Sequence, residues 1–144
     1  MDIGCGTGLS GQEIILKGFN NIDGSDFSKK MLEEAKLKKI YQSLFTLDLN
    51  KNNFKLDKSY DAILAAGVIS PNHAKPECLK NCLDYLKPHG IIIFSLNDHA
   101  YADKIFMTKI NKIIKIYKLK FLEKKYGDHL KKINLKSWIY VLKR

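Results

Sequence analysis

The first eight residues, Met1 to Gly8, constrain the fold more than any other part of the chain. An acidic residue, Asp2, lies in a short apolar stretch, and glycines then alternate at Gly4, Gly6 and Gly8. Glycine tolerates positive φ and lets the backbone approach a ligand. A helix that begins just after these glycines would point its free N–H groups at a polar or anionic group. Strand, glycine loop and helix in this order predict a binding loop in an α/β sheet.

The predicted first strand is unusually short. Only Met1, Asp2 and Ile3 precede Gly4, whereas strands usually have about five or six residues. We therefore expect the sequence to begin inside this strand, so that residues 1–144 form a single domain that is truncated at its N-terminus. A chain of 144 residues is long enough to bury one core.

Strand and helix patterns alternate along the rest of the chain. The predicted strands cover 21–25, 42–47, 60–66 and 91–96, and the predicted helices cover 9–18, 29–39, 76–86 and 101–118. Residues 87–90 are predicted to form a turn, and the closing strands 118–125 and 137–142 are predicted to pair antiparallel at one edge. This order predicts an α/β fold, a doubly wound, mostly parallel Rossmann-like sheet with an antiparallel C-terminal edge hairpin.

The residues at the carboxyl ends of the strands are candidate ligand contacts, because ligands bind there in such sheets. The candidates are Asp2 with the glycine loop, Asp26, Asp48, Ala66 with Gly67, and Asn97 with Asp98. His73 and His99 also follow strand ends. Either would exchange a proton near neutral pH, although a histidine at such a place is more often a surface loop residue. The sequence therefore identifies no catalytic base.

Two cofactor classes fit the glycine loop. Gly6, Gly8 and Gly11 match the dinucleotide fingerprint GxGxxG, and Asp26 follows at the spacing of a ribose-binding acid, as in an NAD-dependent oxidoreductase. The rival pattern is Asp2-x-Gly4-x-Gly6-x-Gly8. An acid before the first glycine suits a cofactor with a cationic amino group and a sulfonium, and it would oppose a pyrophosphate.

Four stretches, in order along the chain, resemble class I S-adenosylmethionine-dependent methyltransferases. The C-terminal segments 126–130 and 136–142 are also similar to the methyltransferase-like proteins named after the Williams–Beuren syndrome region. The four stretches are Asp2-Ile3-Gly4-Cys5-Gly6-Thr7-Gly8, Gly24-Ser25-Asp26-Phe27-Ser28-Lys29-Lys30-Met31-Leu32, Tyr60-Asp61-Ala62-Ile63 and Leu86-Lys87-Pro88-His89-Gly90.

The resemblance implies methyl transfer from S-adenosyl-L-methionine to a small-molecule acceptor that the sequence does not identify. It also implies a role for each matching residue. The loop backbone would wrap the methionine part with Asp2 near its amino group, Asp26 would bind both ribose hydroxyls, and Phe27 would pack on the adenine. Asp48 would accept from the adenine amine, Leu49 would offer an N–H, and Ala66 would lie under the methionine part. The implied cofactor-binding residues are Asp2, Gly4, Cys5, Gly6, Gly8, Asp26, Phe27, Asp48, Leu49 and Ala66.

The net charge of +10 comes from the C-terminal third, because residues 101–144 hold twelve Lys and one Arg against three acids. This charge suggests a basic interaction module that binds nucleic acid or an anionic surface. A non-catalytic cofactor-binding remnant is a further alternative, which does not depend on the charge. The scarcity of Arg, which binds phosphate in a bidentate manner, disfavours nucleic acid. Three cysteines without a CxxC pair predict neither disulfides nor a metal site, and they favour a cytoplasmic protein. No membrane span is predicted, because the longest apolar stretch, 62–69, is far shorter than the roughly 18 residues that a span needs.

Overall fold

The computed structural model describes residues 1–51, 54–130 and 135–144. Its helices and strands follow the predicted alternation. The strands are β1 (Asp2–Ile3), β2 (Asp23–Asp26), β3 (Ser43–Thr46), β4 (Tyr60–Ala65), β5 (Leu86–Asn97), β6 (Lys120–Leu130) and β7 (Leu135–Lys143). The helices are α1 (Leu9–Leu16), α2 (Lys29–Leu37), α3 (Cys78–Asp84), α4 (Asp98–Ala102) and α5 (Lys104–Ile116).

The strands form one seven-stranded sheet in the order β3-β2-β1-β4-β5-β7-β6. Strands β1 to β5 are parallel to one another, and β7 pairs antiparallel with both β5 and β6. This topology confirms the predicted doubly wound, mostly parallel sheet and its antiparallel C-terminal edge. The strand order reverses between β1 and β4. A sheet of this kind has a crevice outside the carboxyl ends of the strands at such a point, where a ligand can bind.

Local side-chain chemistry sets most helix boundaries. Ser28 caps α2 by accepting a hydrogen bond from the Met31 N–H, as its type predicts. Gly18 follows α1 with a positive φ of 89°, the conformation of a helix C-terminal stop. The single helix predicted over 101–118 is wrong, because Asp103 is extended there and its Oδ1 caps α5 by accepting from the Phe106 N–H.

The turn predicted at 87–90 is part of β5. Tyr60 pairs with Leu86 and Ala62 pairs with Ile91, so residues 87–90 form a bulge opposite Asp61. His89 within the bulge has a positive φ of 63°, a conformation for which histidine is enriched among residues other than glycine. The bulge therefore acts as the turn that the sequence indicates, without ending the strand.

The core lies mainly between the central strands and helices α3 and α5. The buried side chains include Ile63, Ile92 and Phe94 from the sheet and Leu83 and Ile110 from the helices. Cys78 and Cys82 are free and buried in α3, which supports a packing role. Helix α2 buries only Ala35 fully, whereas Met31 is 43% exposed and Leu37 is 80% exposed. Within the described residues, no helix is long and apolar enough to cross a membrane.

Candidate functional site

A cleft of about 500 Å³ opens at the carboxyl ends of β1 to β4, where the topology predicts a ligand. Its floor comes from the glycine loop and the end of β2. One wall follows β3 and the other follows β4. The lining residues are Gly4, Asp26, Phe27, Leu47, Asp48, Leu49, Asn50, Ala66, Gly67, Val68, Asn72, His73 and Ala74.

The predicted site residues divide into two groups. Six of them line the cleft. The other four lie in or beneath the glycine loop and do not line the cleft. The first group is Gly4, Asp26, Phe27, Asp48, Leu49 and Ala66, and the second is Asp2, Cys5, Gly6 and Gly8.

Asp26 joins the glycine loop to the start of α2. Its Oδ2 accepts from the Gly6 N–H at 2.8 Å, and its Oδ1 accepts from the Ser28 N–H at 2.8 Å. A carboxylate has about four acceptor sites, so both oxygens keep capacity for a further donor. Asp26 can therefore fix the loop and still accept hydrogen bonds from a ligand in the cleft.

Asp2 lies buried beneath the glycine loop, with 1% of its surface exposed. Its Oδ2 accepts from Ser10 Oγ and from the Tyr41 hydroxyl, both at 2.7 Å, while its Oδ1 has no hydrogen-bond partner among the described groups. Burial raises the pKa of Asp2 because removal from water disfavours the charged form. The carboxylate thus acts on the loop from below instead of forming the wall of the cleft.

Tyr41, which the sequence did not single out, fills the space beside three glycines. A Cβ at Gly11 would lie 2.3 Å from the Tyr41 hydroxyl oxygen, one at Gly24 would lie 2.9 Å from its ring, and one at Gly8 would lie 3.2 Å from it. Gly11 is the last glycine of the dinucleotide-like match. Packing against Tyr41 accounts for that glycine without a pyrophosphate.

The two walls of the cleft are tied together by Asn50. Its Nδ2 donates to the His73 carbonyl oxygen, and its Oδ1 accepts from the Lys75 N–H, both at 3.0 Å. The wall that follows β4 is anchored a second time where the Gly67 N–H donates to Ser95 Oγ at 2.7 Å. Asn50 lies two residues after Asp48. A search for polar residues that continued a few positions beyond the strand end would therefore have identified it.

Val68 covers the glycine loop from the same wall. A Cβ at Gly4, where φ is 67°, would lie 2.4 Å from Val68 Cγ2. The glycine at this position is therefore required by its backbone conformation and by a side chain 64 residues away. No local sequence signal indicates this contact.

The other candidates serve different roles. His73 lines the cleft, whereas His99 is exposed in α4. Asn97 caps α4 by accepting from the Ala100 N–H, and Asp98 accepts from the Tyr126 hydroxyl. Burial raises the pKa of the Cys5 thiol to about 12, which keeps it protonated and unreactive. In the part of the chain that the structure describes, no three metal-binding side chains are grouped together.

A family model described as a methyltransferase domain matches residues 1–92. The chain belongs to this methyltransferase family. The match confirms the resemblance to class I S-adenosylmethionine-dependent methyltransferases and favours S-adenosyl-L-methionine over NAD as the cofactor class. The narrower likeness to the Williams–Beuren region proteins stays a prediction.

Curated relatives support the same family. Methyltransferase-like protein 27 of Homo sapiens is 34% identical over 105 residues, 69% of this chain and 41% of that protein. Alpha N-terminal protein methyltransferase 1 of Dictyostelium discoideum is 31% identical over 117 residues, 76% of this chain and 42% of that protein. Ubiquinone biosynthesis O-methyltransferase of Rickettsia prowazekii is 29% identical over 111 residues, 74% of this chain and 42% of that protein. The methyltransferase domain thus spans less than half the length of each.

The fold is also that of solved methyltransferases. The structure of a S-adenosylmethionine-dependent methyltransferase from Clostridium acetobutylicum superposes with a TM-score of 0.74 at 18% identity, and the match covers 99% of this chain and 82% of that one. At this identity the likeness establishes the architecture of the methyltransferase domain and leaves its substrate open.

Proposed function

We propose that this methyltransferase domain binds S-adenosyl-L-methionine in the cleft and transfers its methyl group to a small-molecule acceptor. The observation that carries the proposal is the convergence of Gly4, Asp26 and Asp48 on one cleft at the carboxyl ends of three adjacent strands. The family of the chain makes this cofactor the appropriate occupant.

The residues that line the cleft suit the parts of this cofactor. Asp26 offers two carboxylate oxygens to the ribose hydroxyls, Asp48 accepts from the adenine amine, and Leu49 offers a backbone N–H. Phe27 is 72% exposed and would bury its ring against the adenine. The backbone from Gly4 through Cys5 and Gly6 to Gly8, with Ala66 opposite, would surround the methionine part, and Asp2 would hold that loop from beneath.

Methyl transfer asks little chemistry of the protein. A bound cofactor would supply an activated methyl group at its sulfonium, so the acceptor would need only to be brought to that group and to lose its proton. The protein's contribution is to position the acceptor and exclude water. Among the residues that line the cleft, His73 is the one histidine and the candidate that we assign for removing a proton from the acceptor.

The class of acceptor is a finer proposal. The Rickettsia relative is named for ubiquinone biosynthesis, whereas the Dictyostelium relative is named as a protein methyltransferase. We favour a small molecule because a concave cleft of about 500 Å³ at the strand ends admits a compact acceptor more readily than a folded surface. We also infer a cytoplasmic location, which the three free, buried cysteines support.

Calorimetric titration of S-adenosyl-L-methionine, with NAD in parallel, tests the proposed cofactor. We expect saturable binding of the former alone and a loss of about tenfold or more in affinity for Asp26→Asn, which keeps the size of the side chain but removes its charge. Asp61→Ala is the matched control, because Asp61 is exposed and pairs with Lys87 outside the cleft. Binding of NAD alone would contradict the proposal.

A further inference from the structure

Three aromatic rings surround the ammonium group of Lys124. Its Nζ lies 4.4 Å from the ring centre of Trp138, 5.0 Å from that of Tyr101 and 5.2 Å from that of Tyr140. The same nitrogen donates to the Tyr101 hydroxyl at 3.2 Å. We call Tyr101, Trp138 and Tyr140 the aromatic cage. It lies apart from the cleft and has no role in the proposed binding of the cofactor.

The fold builds the cage from three elements. Strands β6 and β7 pair Lys124 with Tyr140 and Tyr126 with Trp138, so these side chains share one face of the sheet. Helix α4 follows β5 directly and brings Tyr101 against Trp138, with ring centres 5.2 Å apart. On its other side Trp138 meets Tyr126 at 4.9 Å. The cage therefore lies near the carboxyl end of β5, at the same edge of the sheet as the cleft.

Each ring of the cage packs against another aromatic ring in addition to the lysine. Tyr140 is 2% exposed and stacks on Phe94 with ring centres 4.9 Å apart and an interplanar angle of 8°. The ring of Tyr126 packs against Trp138, and the Tyr126 hydroxyl donates to Asp98 Oδ1 at 2.9 Å. Lys124, by contrast, is exposed and carries its charge on a flexible stem. The cage is preformed, whereas its occupant can leave for water.

Contacts of this kind are uncommon at such density. A significant cation–π contact occurs roughly once per 70–80 residues, and sets of aromatic rings around one cation are how proteins recognise quaternary ammonium ligands. A quaternary ammonium is also more weakly hydrated than a lysine ammonium, because it cannot donate hydrogen bonds to water. It would lose less on entering the cage than Lys124 does.

We propose that the aromatic cage is a binding site for an alkylammonium group and that Lys124 occupies it as a displaceable internal ligand. The site itself does not rest on the proposed function. A further step does rest on the proposed function: the alkylammonium ligand of the cage would be an amine acceptor of the methyl transfer or its methylated product.

Fluorescence titration with choline chloride tests the cage directly, because Trp138 is the single tryptophan of the chain. The experiment uses the wild-type chain without cofactor, together with Lys124→Ala and with Lys124→Met, which keeps an apolar stem. Lys125→Ala is the matched control, since the neighbouring Lys125 pairs with Ile139 and faces the other side of the sheet. Sodium chloride and the neutral alcohol in which carbon replaces the choline nitrogen control for ionic strength and shape.

We expect saturable quenching by choline, about tenfold tighter in Lys124→Ala than in the wild type because no internal cation competes. Lys125→Ala should titrate like the wild type, and the neutral alcohol should bind much more weakly. A folded Lys124→Ala or Lys124→Met protein without saturable quenching overturns the proposal. Equal affinity in the wild type and both Lys124 variants overturns the role of Lys124, and equal binding of the neutral alcohol overturns the ligand class.

Because the titration contains no cofactor, its outcome is independent of whether S-adenosyl-L-methionine binds the cleft. Failure of the cage and failure of the proposed function are therefore separate results. A folded chain that binds the cofactor but not choline would retain the methyltransferase function and remove the cage as its amine site.

Discussion

At the scale of single residues, the glycine loop depends on a carboxylate that water does not reach. Asp2 is held by two hydroxyl groups, and one of them belongs to Tyr41, whose ring also occupies the space beside Gly8, Gly11 and Gly24. A buried acceptor that loses a donor bears much of its desolvation cost. Tyr41 therefore links the stability of the chain to the shape of its binding loop.

Replacing Tyr41 with Phe should lower the free energy of unfolding by about 1–3 kcal/mol, because a buried carboxylate oxygen loses one of its two donors while the ring stays in place. Urea unfolding followed by circular dichroism measures this. Tyr117→Phe is the control, since its hydroxyl meets the exposed Asp84 at 3.3 Å and should contribute little. Equal losses in the two variants would show that the bond to Asp2 has no special weight.

Two glycines of the loop should respond differently to the same substitution. Gly4→Ala and Gly6→Ala both place a side chain at positive φ, at a cost of about 1–2 kcal/mol. Gly4→Ala also forces Val68 to move, whereas a Cβ at Gly6 meets no other atom within 4 Å. We expect Gly4→Ala to destabilise the chain by at least about 1 kcal/mol more, as measured by urea unfolding.

A second substitution checks the physical cause of that difference. Val68→Ala should recover part of the loss in the Gly4→Ala background and none in the Gly6→Ala background. A double-mutant cycle without coupling between Gly4 and Val68 would contradict the predicted contact.

The site residues that could be predicted from the sequence are those at the ends of predicted strands. Asp26 and Asp48 come directly after predicted strands. In the structure Asp26 ends β2 and Asp48 lies two residues after β3, so the topology brings both to the cleft. Tyr41 and Val68 contact the glycine loop from segments far along the chain, and nothing in their neighbours indicates where they pack. Their contacts are set by tertiary packing, which periodicity does not encode.

At the scale of elements, the cleft has two walls that approach from different strands. The side chain of Asn50, in the segment after β3, donates to the His73 carbonyl oxygen and accepts from the Lys75 N–H in the segment after β4, as a paired backbone would. A cleft of this kind can widen when one side chain is lost.

Asn50→Ala should therefore speed hydrogen exchange at the Lys75 amide by about fivefold, since each hydrogen bond contributes roughly 1 kcal/mol. Exchange followed by NMR provides the measurement. Asn81→Ala is the control, because the Asn81 amide meets the Lys51 carbonyl oxygen at 3.4 Å and has no contact with Lys75. An unchanged rate in Asn50→Ala would show that the walls are held by other contacts.

Most elements could be predicted from the sequence, and the errors have local causes. The predicted helix over 101–118 contained an apolar pattern that continues across Asp103, so periodicity alone did not reveal that this side chain caps a second helix. The predicted turn at 87–90 had the right chemistry, but pairing on both sides retains it within β5. In each case the boundary depends on which backbone groups find partners.

At the scale of the whole molecule, the charge is high and one-sided. The excess of positive charge lies in residues 101–144. The described part of this range includes α5 and the strands β6 and β7 at one end of the sheet. Like charges gathered on one part of a folded chain repel one another and favour the more open unfolded state. Salt should reduce this repulsion.

We expect the melting temperature to rise by a few degrees between about 0.01 M and 0.1 M sodium chloride, over which the Debye length falls from about 30 Å to 10 Å. Differential scanning calorimetry measures this. A variant that combines Lys112→Glu and Lys125→Glu, both exposed in the structure, should depend less on salt because it repels itself less. A melting temperature that falls with salt would mean that attractive ion pairs outweigh the repulsion.

The two ends of the sheet also determine how the protein behaves among its own copies. An unpaired strand offers free N–H and C=O groups to any neighbouring chain, and long, uncharged edges nucleate intermolecular sheets. Here one outer strand, β3, has only four residues, and the other, β6, is long but carries Lys120, Lys124 and Lys125. Concentrated solutions should therefore resist fibrous aggregation for two different reasons, brevity at one margin and like-charge repulsion at the other.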